Sequence, residues 1–405
     1  MLSVTNLLCD FDGGNERLRY GHRNRGGETQ AVPRPVVVWA LTKACNLRCV
    51  HCYASANAHP APNELAFNEG ISLLDDLIKF QVPAVLFSGG EPLVRPEALD
   101  FIRYARQGGL ACTLSTNGLL IDEIMADRLA DSGLKYIGIS LDGLRERHDK
   151  LRGQDGAFDG VLRAIAHCRA RGIKVGLRFT VHGLNLQDLD AIFDICIQHD
   201  VQRLCVYHLA YSGRGGNMQK VDLTPAQTRQ VIDRVFARSM ELHRAGAPLE
   251  VLTVDNHADA AYVLMHLEQT DPARHDKVRE RLMGTGGNRS GCNIAAIDPM
   301  GNVHYDQFSW HYNCGNIRDE PFSKIWSDAK DERLAILRNR QAHLPARCQG
   351  CRFLSVCNGN LRTRAEAATN NWLGFDPGCY LTDEEIAPRP QRNQTIMEQV
   401  GVLKI

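Results

Sequence analysis

The sequence has neither an excess of one charge nor a long apolar run. Its 405 residues include 47 Lys+Arg and 47 Asp+Glu, so the formal net charge at pH 7 is zero. A balanced charge lacks the electrostatic signature of a protein that binds nucleic acid or an anionic membrane surface. The longest apolar runs, such as residues 36–41, are far shorter than the roughly 20 residues that cross a bilayer. We therefore expect no nucleic-acid partner and no membrane partner.

The amino terminus also lacks the uninterrupted apolar stretch of a secretory signal peptide. Leu7 and Leu8 are followed closely by the charged residues Asp10 and Asp12. Hydrophobic residues make up 44% of the chain, as in an ordinary globular protein. We therefore expect a cytoplasmic enzyme. In a reducing compartment, the 14 cysteines are better explained as metal ligands or catalytic groups than as disulfides.

The pattern of apolar residues, glycines and prolines divides the chain into five segments. Residues 1–34 are polar and rich in Gly and Arg, which predicts an irregular arm. Residues 35–240 alternate short β-branched runs with amphipathic helical stretches, and residues 241–283 predict a helical connector. A smaller domain rich in Gly, Asn and Cys is predicted at 284–387, and a tail at 388–405.

The region 35–240 predicts an α/β fold with a parallel sheet. Strands are predicted at 36–41, 84–87, 111–115, 136–141, 175–181 and 203–208, with a helical pattern between most neighbours. Repeated strand–helix units with short connections favour parallel strands with the helices outside. Six strands are fewer than the eight of a closed barrel, so we expect an open, partial barrel. Its chemistry should lie at the carboxyl ends of the strands.

Three closely spaced cysteines follow the first predicted strand. Cys45, Cys49 and Cys52 have the spacing C-x3-C-x2-C. A structural zinc site takes four protein ligands, whereas three thiolates on a cubane cluster leave one iron open. A zinc site with His51 as the fourth ligand is the alternative. The position at a strand end favours a catalytic iron–sulfur site.

This motif resembles that of the radical S-adenosylmethionine (AdoMet, or SAM) superfamily, with His51 in a position that is usually aromatic. The resemblance implies a partial (β/α)6 barrel and a 4Fe–4S cluster whose fourth iron chelates AdoMet. It further implies that one electron cleaves AdoMet to a 5′-deoxyadenosyl radical. An external one-electron donor of the flavodoxin or ferredoxin type is therefore an expected partner.

Further motifs of this family follow the next predicted strands. A Gly-Gly-Glu-Pro string follows the second strand, and polar residues end the third and fourth. The resemblance implies that the first string meets the AdoMet amino group, with Glu91 supplying charge, and that the others line its ribose and methionine ends. Arg152 and Arg178 are candidate partners of its carboxylate, although each is equally well explained as a solvated surface charge. The positions so assigned to AdoMet are Gly89, Gly90, Glu91, Pro92, Thr116, Asn117, Ser140, Asp142, Arg152 and Arg178.

A second cysteine cluster lies in the smaller domain and has four members. Four thiolates close a coordination shell and fit either zinc or a second iron–sulfur cluster. The spacing resembles the SPASM-type extension of radical AdoMet enzymes, which implies an auxiliary 4Fe–4S cluster. Leu361 stands where that pattern has a further cysteine, so one auxiliary cluster is expected, with Cys292 and Cys314 as remnants of another. The four predicted ligands are Cys348, Cys351, Cys357 and Cys379.

Several segments between 287 and 385, among them 298–308 and 358–366, resemble radical AdoMet enzymes that modify tetrapyrroles, in particular those of heme d1 biosynthesis. That resemblance implies removal of two propionate side chains from iron-bound didecarboxysiroheme. Two alternatives share the machinery: a decarboxylating radical AdoMet heme synthase acting on iron-coproporphyrin, and a peptide-modifying SPASM enzyme. A zinc-binding interaction protein without catalytic activity is the alternative from another class.

A tetrapyrrole with several carboxylates and a central iron needs cationic and imidazole partners. Guanidinium groups bind carboxylates in a bidentate manner, and imidazoles ligate iron. Each candidate also has a plainer explanation, as an exposed charge or as a core histidine. The candidates are Arg214, Arg289, Arg362 and Arg364 for the carboxylates, and His208 and His304 for the iron.

Overall fold

The computed structural model describes residues 1–9, 11, 33–247 and 249–388. Ten strands form one sheet in the order β1-β8-β7-β6-β5-β4-β3-β2-β9-β10, which is open within the described part of the chain. The strands are β1 (Leu2–Ser3), β2 (Val36–Ala40), β3 (Ala84–Ser88), β4 (Ala111–Thr116), β5 (Tyr136–Ser140), β6 (Lys174–Val181), β7 (Arg203–His208), β8 (Glu250–Val254), β9 (Ile294–Ile297) and β10 (Val303–His304).

Helices connect the strands and extend through the smaller domain. They are α1 (Val4–Cys9), α2 (Phe67–Phe80), α3 (Ala98–Gln107), α4 (Glu123–Asp131), α5 (Arg145–Arg152), α6 (Ala157–Ala170), α7 (Leu189–Gln198), α8 (Pro225–Arg244), α9 (Ala258–Thr270), α10 (Pro272–Thr285), α11 (Phe322–Asp328), α12 (Glu332–Arg338), α13 (Ala346–Gln349), α14 (Leu354–Cys357), α15 (Arg362–Thr369) and α16 (Asp383–Ile386). Short 3₁₀ helices lie at Pro92–Val94, Leu186–Asp188, Gly213–Val221 and Arg340–His343. Across the described residues, no helix is long and apolar enough to cross a membrane.

Strands β2 to β8 pair with one another in parallel, which confirms the predicted α/β class and open parallel sheet. The six predicted strands lie within one residue of their expected bounds. Their carboxyl ends consequently share one edge of the sheet, where the chemistry of such folds is found.

The sheet is wider than the six predicted strands because both edges receive additional ones. The connector predicted as helical contributes β8, which is buried along its whole length and pairs in parallel with β7. The smaller domain contributes β9, which pairs in parallel with β2. A five-residue strand between long helical patterns has too little periodicity to be recognised in the sequence.

The first nine residues are regular and buried, which differs from the predicted irregular arm. Strand β1 pairs antiparallel with β8, and α1 buries Leu7 in the main core. Burial of these apolar side chains stabilises the edge of the sheet. The rest of the predicted arm, apart from residues 11 and 33–34, and the predicted tail after 388 lie outside the described residues.

Candidate functional site

An open cleft lies at the carboxyl edge of the parallel sheet, and its empty space measures about 1160 Å³. Its walls come from the loop of the first cysteine cluster, the ends of six parallel strands and the smaller domain, which contributes Gln307 and Phe308. The sequence-predicted residues that line it are Cys45, Cys49, Cys52, Gly89, Gly90, Thr116, Asn117, Ser140, Arg152, Arg178, His208 and Arg214.

The loop after β2 presents its three cysteines to this cleft. Backbone amides of Leu47 and Ala56 each donate to a sulfur, of Cys45 and Cys52 respectively, at 3.4 Å. A guanidinium N–H of Arg152 donates to the Cys49 sulfur at 3.5 Å. Burial raises the pKa of the Cys45 thiol to about 12, so a bound cation is needed to hold it as a thiolate. N–H donors aimed at three sulfurs fit a metal–thiolate centre.

The Gly89–Gly90 turn packs directly on the cysteine loop. Gly90 N–H donates to the Thr42 carbonyl at 2.7 Å, and Glu91 N–H donates to the Ala44 carbonyl at 2.8 Å. A Cβ on Gly90 would stand 2.2 Å from the Ala44 carbonyl oxygen, so no side chain fits there. The glycine pair therefore brings two strand-end loops into contact.

The Glu91 carboxylate is buried in contacts with neighbouring protein groups, and its expected role of supplying charge at AdoMet stays a prediction. The side chain is 1% exposed and accepts from Thr116 Oγ1 and from the Asn117 N–H, both at 2.8 Å. Burial raises its pKa to about 7, although these donors act in the opposite direction. Glu91 ties the end of β4 to the glycine turn, and Pro92 begins the short 3₁₀ helix behind it.

Asn117 and Arg178 are the predicted cofactor residues best placed in the cleft. Asn117 Nδ2 donates to Asn46 Oδ1, beside Cys45, at 2.8 Å. Arg178 donates to Ser115 Oγ, while its buried Nε has no hydrogen-bond partner. A Cβ on Gly138 would lie 2.2 Å from that Nε, so this glycine in β5 makes room for the guanidinium. Arg178 is thus a cation with an unused donor at the strand ends.

Asp142 is fully buried and does not line the cleft, and its expected contact with AdoMet stays a prediction. Its carboxylate pairs with Arg152, contacts His51 Nε2 at 3.0 Å and accepts from the Thr180 N–H at 2.9 Å. Burial alone would raise its pKa, but the Arg152 and His51 partners hold it well below its usual range. Asp142 therefore orients Arg152, which in turn donates to Cys49.

Arg214 clamps the cysteine loop through backbone contacts. Its Nε donates to the Cys49 carbonyl at 2.8 Å and its Nη1 to the Ala56 carbonyl at 2.7 Å. Its Nη2 is buried without a partner. Arg214, which was predicted to bind a substrate carboxylate, thus uses two of its N–H donors to hold the cysteine loop.

The other predicted substrate residues are engaged elsewhere. Arg364 is 1% exposed and pairs with Asp376, so it cannot reach a ligand in the cleft. Arg289 and Arg362 lie outside the cleft wall, and Arg362 donates to the Gly374 carbonyl at 2.8 Å.

Both candidate iron-ligating histidines are occupied by protein partners. His208 lines the cleft, but its Nε2 contacts Asp259 Oδ2 at 2.9 Å and its Nδ1 faces Asn256 at 3.5 Å. His304 is buried, with Nδ1 2.6 Å from the Tyr312 carbonyl. The expectation that either imidazole binds the substrate's iron is therefore not supported by the geometry.

The four cysteines of the second cluster surround about 430 Å³ of empty space in the smaller domain. Arg347 donates to Cys379 Sγ at 3.6 Å and the Phe353 N–H to Cys351 Sγ at 3.4 Å. Among the described residues, no three His, Cys, Asp or Glu side chains converge as the ligands of one metal ion do. Ligands spread around a cavity fit a cluster, whose cysteines bind different irons, better than a single zinc ion.

Leu361, which stands where the SPASM-type pattern has a further cysteine, is buried against Ala210 and Phe308 at the cleft wall. The buried Arg340 guanidinium donates to Asn288 Oδ1 at 2.7 Å. The expectation of one auxiliary cluster, with Cys292 and Cys314 as remnants of another, stays a prediction.

Two features of the cleft are absent from the sequence-based prediction. Tyr53, Phe308 and Trp310 form an aromatic cluster, with the Tyr53 ring 5.4 Å from that of Phe308. Asp255, at the end of β8, also lines the cleft. The sequence feature that could have revealed Asp255 is its position directly after the run 250–254, which is rich in the β-branched residues typical of a strand.

The family models that match the chain cover the first cysteine cluster and, of the second, Cys348 and Cys351. The model of the radical SAM superfamily matches residues 39–196, and the SPASM model, described as an iron-sulfur cluster-binding domain, matches residues 289–352. These descriptions favour iron–sulfur clusters over the zinc alternative.

Two curated relatives are similar over most of their length. Fe-coproporphyrin III synthase of Methanosarcina barkeri is 46% identical over 394 residues, which cover 95% of this chain and 99% of that protein. Pre-heme d1 synthase of Dinoroseobacter shibae is 39% identical over 358 residues, 88% of each chain. Among solved structures, Streptococcus suis SuiB bound to S-adenosylmethionine covers 87% of this chain and 78% of its own, with a TM-score of 0.68 and 18% identity, which shows a shared fold.

Proposed function

Because the chain belongs to the radical SAM superfamily and carries a SPASM iron–sulfur domain, it is an enzyme that acts on a tetrapyrrole, and we propose that it forms Fe-coproporphyrin III. The observation that carries the proposal is the single cleft that the cysteine loop and the smaller domain enclose together. The relative with 46% identity is named for this product, and the one with 39% identity for pre-heme d1. The comparisons therefore support an enzyme of Fe-coproporphyrin chemistry, the class of the first alternative, at least as well as the heme d1 function. The relative's name makes Fe-coproporphyrin III the product, whereas the alternative took iron-coproporphyrin as the substrate.

The sides of the cleft differ in chemical character. The cysteine loop and Arg152 border one side, while Tyr53 and Phe308 border another. Aromatic rings favour offset or edge-to-face contact with a flat conjugated ring. We place the tetrapyrrole against this aromatic side.

Cys45, Cys49 and Cys52 would hold a 4Fe–4S cluster, which would supply the electron for the reductive cleavage of AdoMet. The protein's own residues hold that chemistry in place. Asn117 fixes the cysteine loop to a strand end, and the Arg178 side chain lines the cleft as the candidate partner of the AdoMet carboxylate. Reduction of the cluster would need an external one-electron donor, for which a protein of the flavodoxin or ferredoxin type is the candidate.

The auxiliary cluster is held apart from the AdoMet site. Its four cysteines border a separate cavity in the smaller domain and would supply all four protein ligands of a cluster there. A closed shell leaves no iron for substrate, so we assign this cluster to electron transfer with the tetrapyrrole.

Product identity tests the proposal. The reconstituted enzyme is incubated without oxygen with AdoMet, reductant and iron-bound didecarboxysiroheme, and the product is compared by mass and retention with authentic Fe-coproporphyrin III. A match supports the proposal. Loss of two propionate side chains instead would establish the heme d1 function. AdoMet cleavage with every tetrapyrrole unchanged would refute both.

A second incubation, with Fe-coproporphyrin III as the substrate, tests for the activity of a decarboxylating heme synthase. Release of carbon dioxide alone would identify that activity. We expect Fe-coproporphyrin III to be recovered unchanged, because the relative's name makes it the product.

A further inference from the structure

Asp255 occupies an unusual backbone position at the mouth of the cleft. It follows β8 directly, and its φ of 66° lies in the left-handed region. Asp and Asn are the non-glycine residues that adopt this region most readily, and such outliers cluster at functional sites. The turn directs the chain away from the strand while the residue remains in the cleft wall.

The smaller domain holds this backbone turn in place. Arg364 donates to the Asp255 carbonyl at 3.1 Å, and the neighbouring Asn256 donates to the Gly378 carbonyl at 2.8 Å. Asn360 Nδ2 donates to Asn256 Oδ1 at 2.7 Å. The segment that contains the auxiliary-cluster cysteines therefore sets the position of Asp255.

The hydrogen bond from Arg364 goes to the backbone of Asp255, and the side chain lines the cleft. It is partly exposed to the cleft. Burial raises its pKa to about 6, and the nearby positive charges act in the opposite direction. The charged groups that act on the pKa of Asp255 are the α-amino group of the chain, Arg364, Asp306 and His208. Asp255 in turn raises the pKa values of Tyr53 and Tyr207.

We propose that Asp255 contacts the substrate and donates a hydrogen bond, as a carboxylic acid, to a side-chain carboxylate of the tetrapyrrole. This inference rests on the proposed function, because it takes the anionic tetrapyrrole as the ligand. A neutral acid is a donor, whereas an ionised one repels a second carboxylate. Arg364 and Gly378 of the smaller domain contact the turn that carries Asp255, so the group lies where this domain borders the cleft.

Binding of Fe-coproporphyrin III tests the assignment. The Kd for the reconstituted enzyme is measured without oxygen by absorbance titration at pH 6.0 and 7.5. If only the acid form binds, a pKa of about 6 predicts that the Kd of the wild type rises about 15-fold between these pH values. Asp255→Asn keeps a donor that cannot ionise, so its Kd should change less than about 3-fold. The Asp255→Ala variant should bind Fe-coproporphyrin III weakly at both pH values.

Asp200→Asn is the matched control, because Asp200 is also left-handed, with φ 48°, but lies on an exposed turn. It should behave as the wild type. Equal Kd values for wild type and Asp255→Ala would overturn the inference and leave the proposed function standing. Failure of the wild type to bind any iron tetrapyrrole would refute the proposed function instead. Weaker AdoMet binding in Asp255→Asn with unchanged tetrapyrrole binding would also overturn the assignment.

Discussion

The substitution Asp142→Asn should destabilise the protein strongly, because it leaves the Arg152 guanidinium without its counter-charge. Arg152 is 8% exposed and Asp142 fully buried. Asparagine keeps the shape and an acceptor for the Thr180 N–H, so the loss is chiefly that of charge. Removing one partner of a buried ion pair costs about 3–5 kcal/mol, since the other charge stays desolvated.

The free energy of unfolding is measured from urea transitions followed by tryptophan fluorescence, on metal-free reduced protein without oxygen. A cost of about 4 kcal/mol raises the unfolding constant by roughly three orders of magnitude. The matched control is Asp159→Asn, which removes the partner of Arg145 in an exposed pair, 59% and 38% accessible. That change should cost no more than about 1 kcal/mol.

The double variant Asp142→Asn with Arg152→Met separates charge from packing. Removing both charges eliminates the unpaired guanidinium, so part of the stability should return. A cost for Asp142→Asn no larger than that of the surface control would refute the reasoning, as would a double variant less stable than the single one.

Three further predictions concern the clusters, Arg178 and a buried histidine. Cys45→Ala should abolish AdoMet cleavage, whereas Cys351→Ala should retain uncoupled cleavage and lose tetrapyrrole product; equal loss in both assays would contradict separate roles for the clusters. Gly138→Ala should displace Arg178 and weaken AdoMet binding by about tenfold or more in calorimetry, since a charge-assisted hydrogen bond contributes about 1.5–3 kcal/mol; unchanged affinity would remove Arg178 from the AdoMet site. Burial lowers the pKa of His148 to about 4, so the unfolded chain binds this proton first and stability should fall as the pH drops from about 6.5 towards 4; His148→Gln should flatten that dependence of the urea midpoint, and an identical slope would contradict it.

The positions of Asp142 and Asp255 show the limit of inference from the sequence. Both follow a parallel strand, at residues 136–140 and 250–254, and only the first was assigned to the site. In the folded chain Asp142 turns inward to Arg152, while Asp255 borders the cleft. The end of a strand determines roughly where a side chain lies, but the group with which that side chain pairs comes from another segment of the chain.

The sequence by itself determined the features that depend on short spacing and on local periodicity. Three cysteines within eight residues set the ligand number of the first site, and the alternation of strands and helices set the open parallel sheet. Only the tertiary structure decided that β8 and β9 extend the sheet. It also decided that the side chains of Arg364 and Glu91 are buried in contacts with other protein groups. The physical reason is that burial and pairing of a charge depend on contacts between residues far apart in the chain, whereas chelate spacing and strand period are local properties.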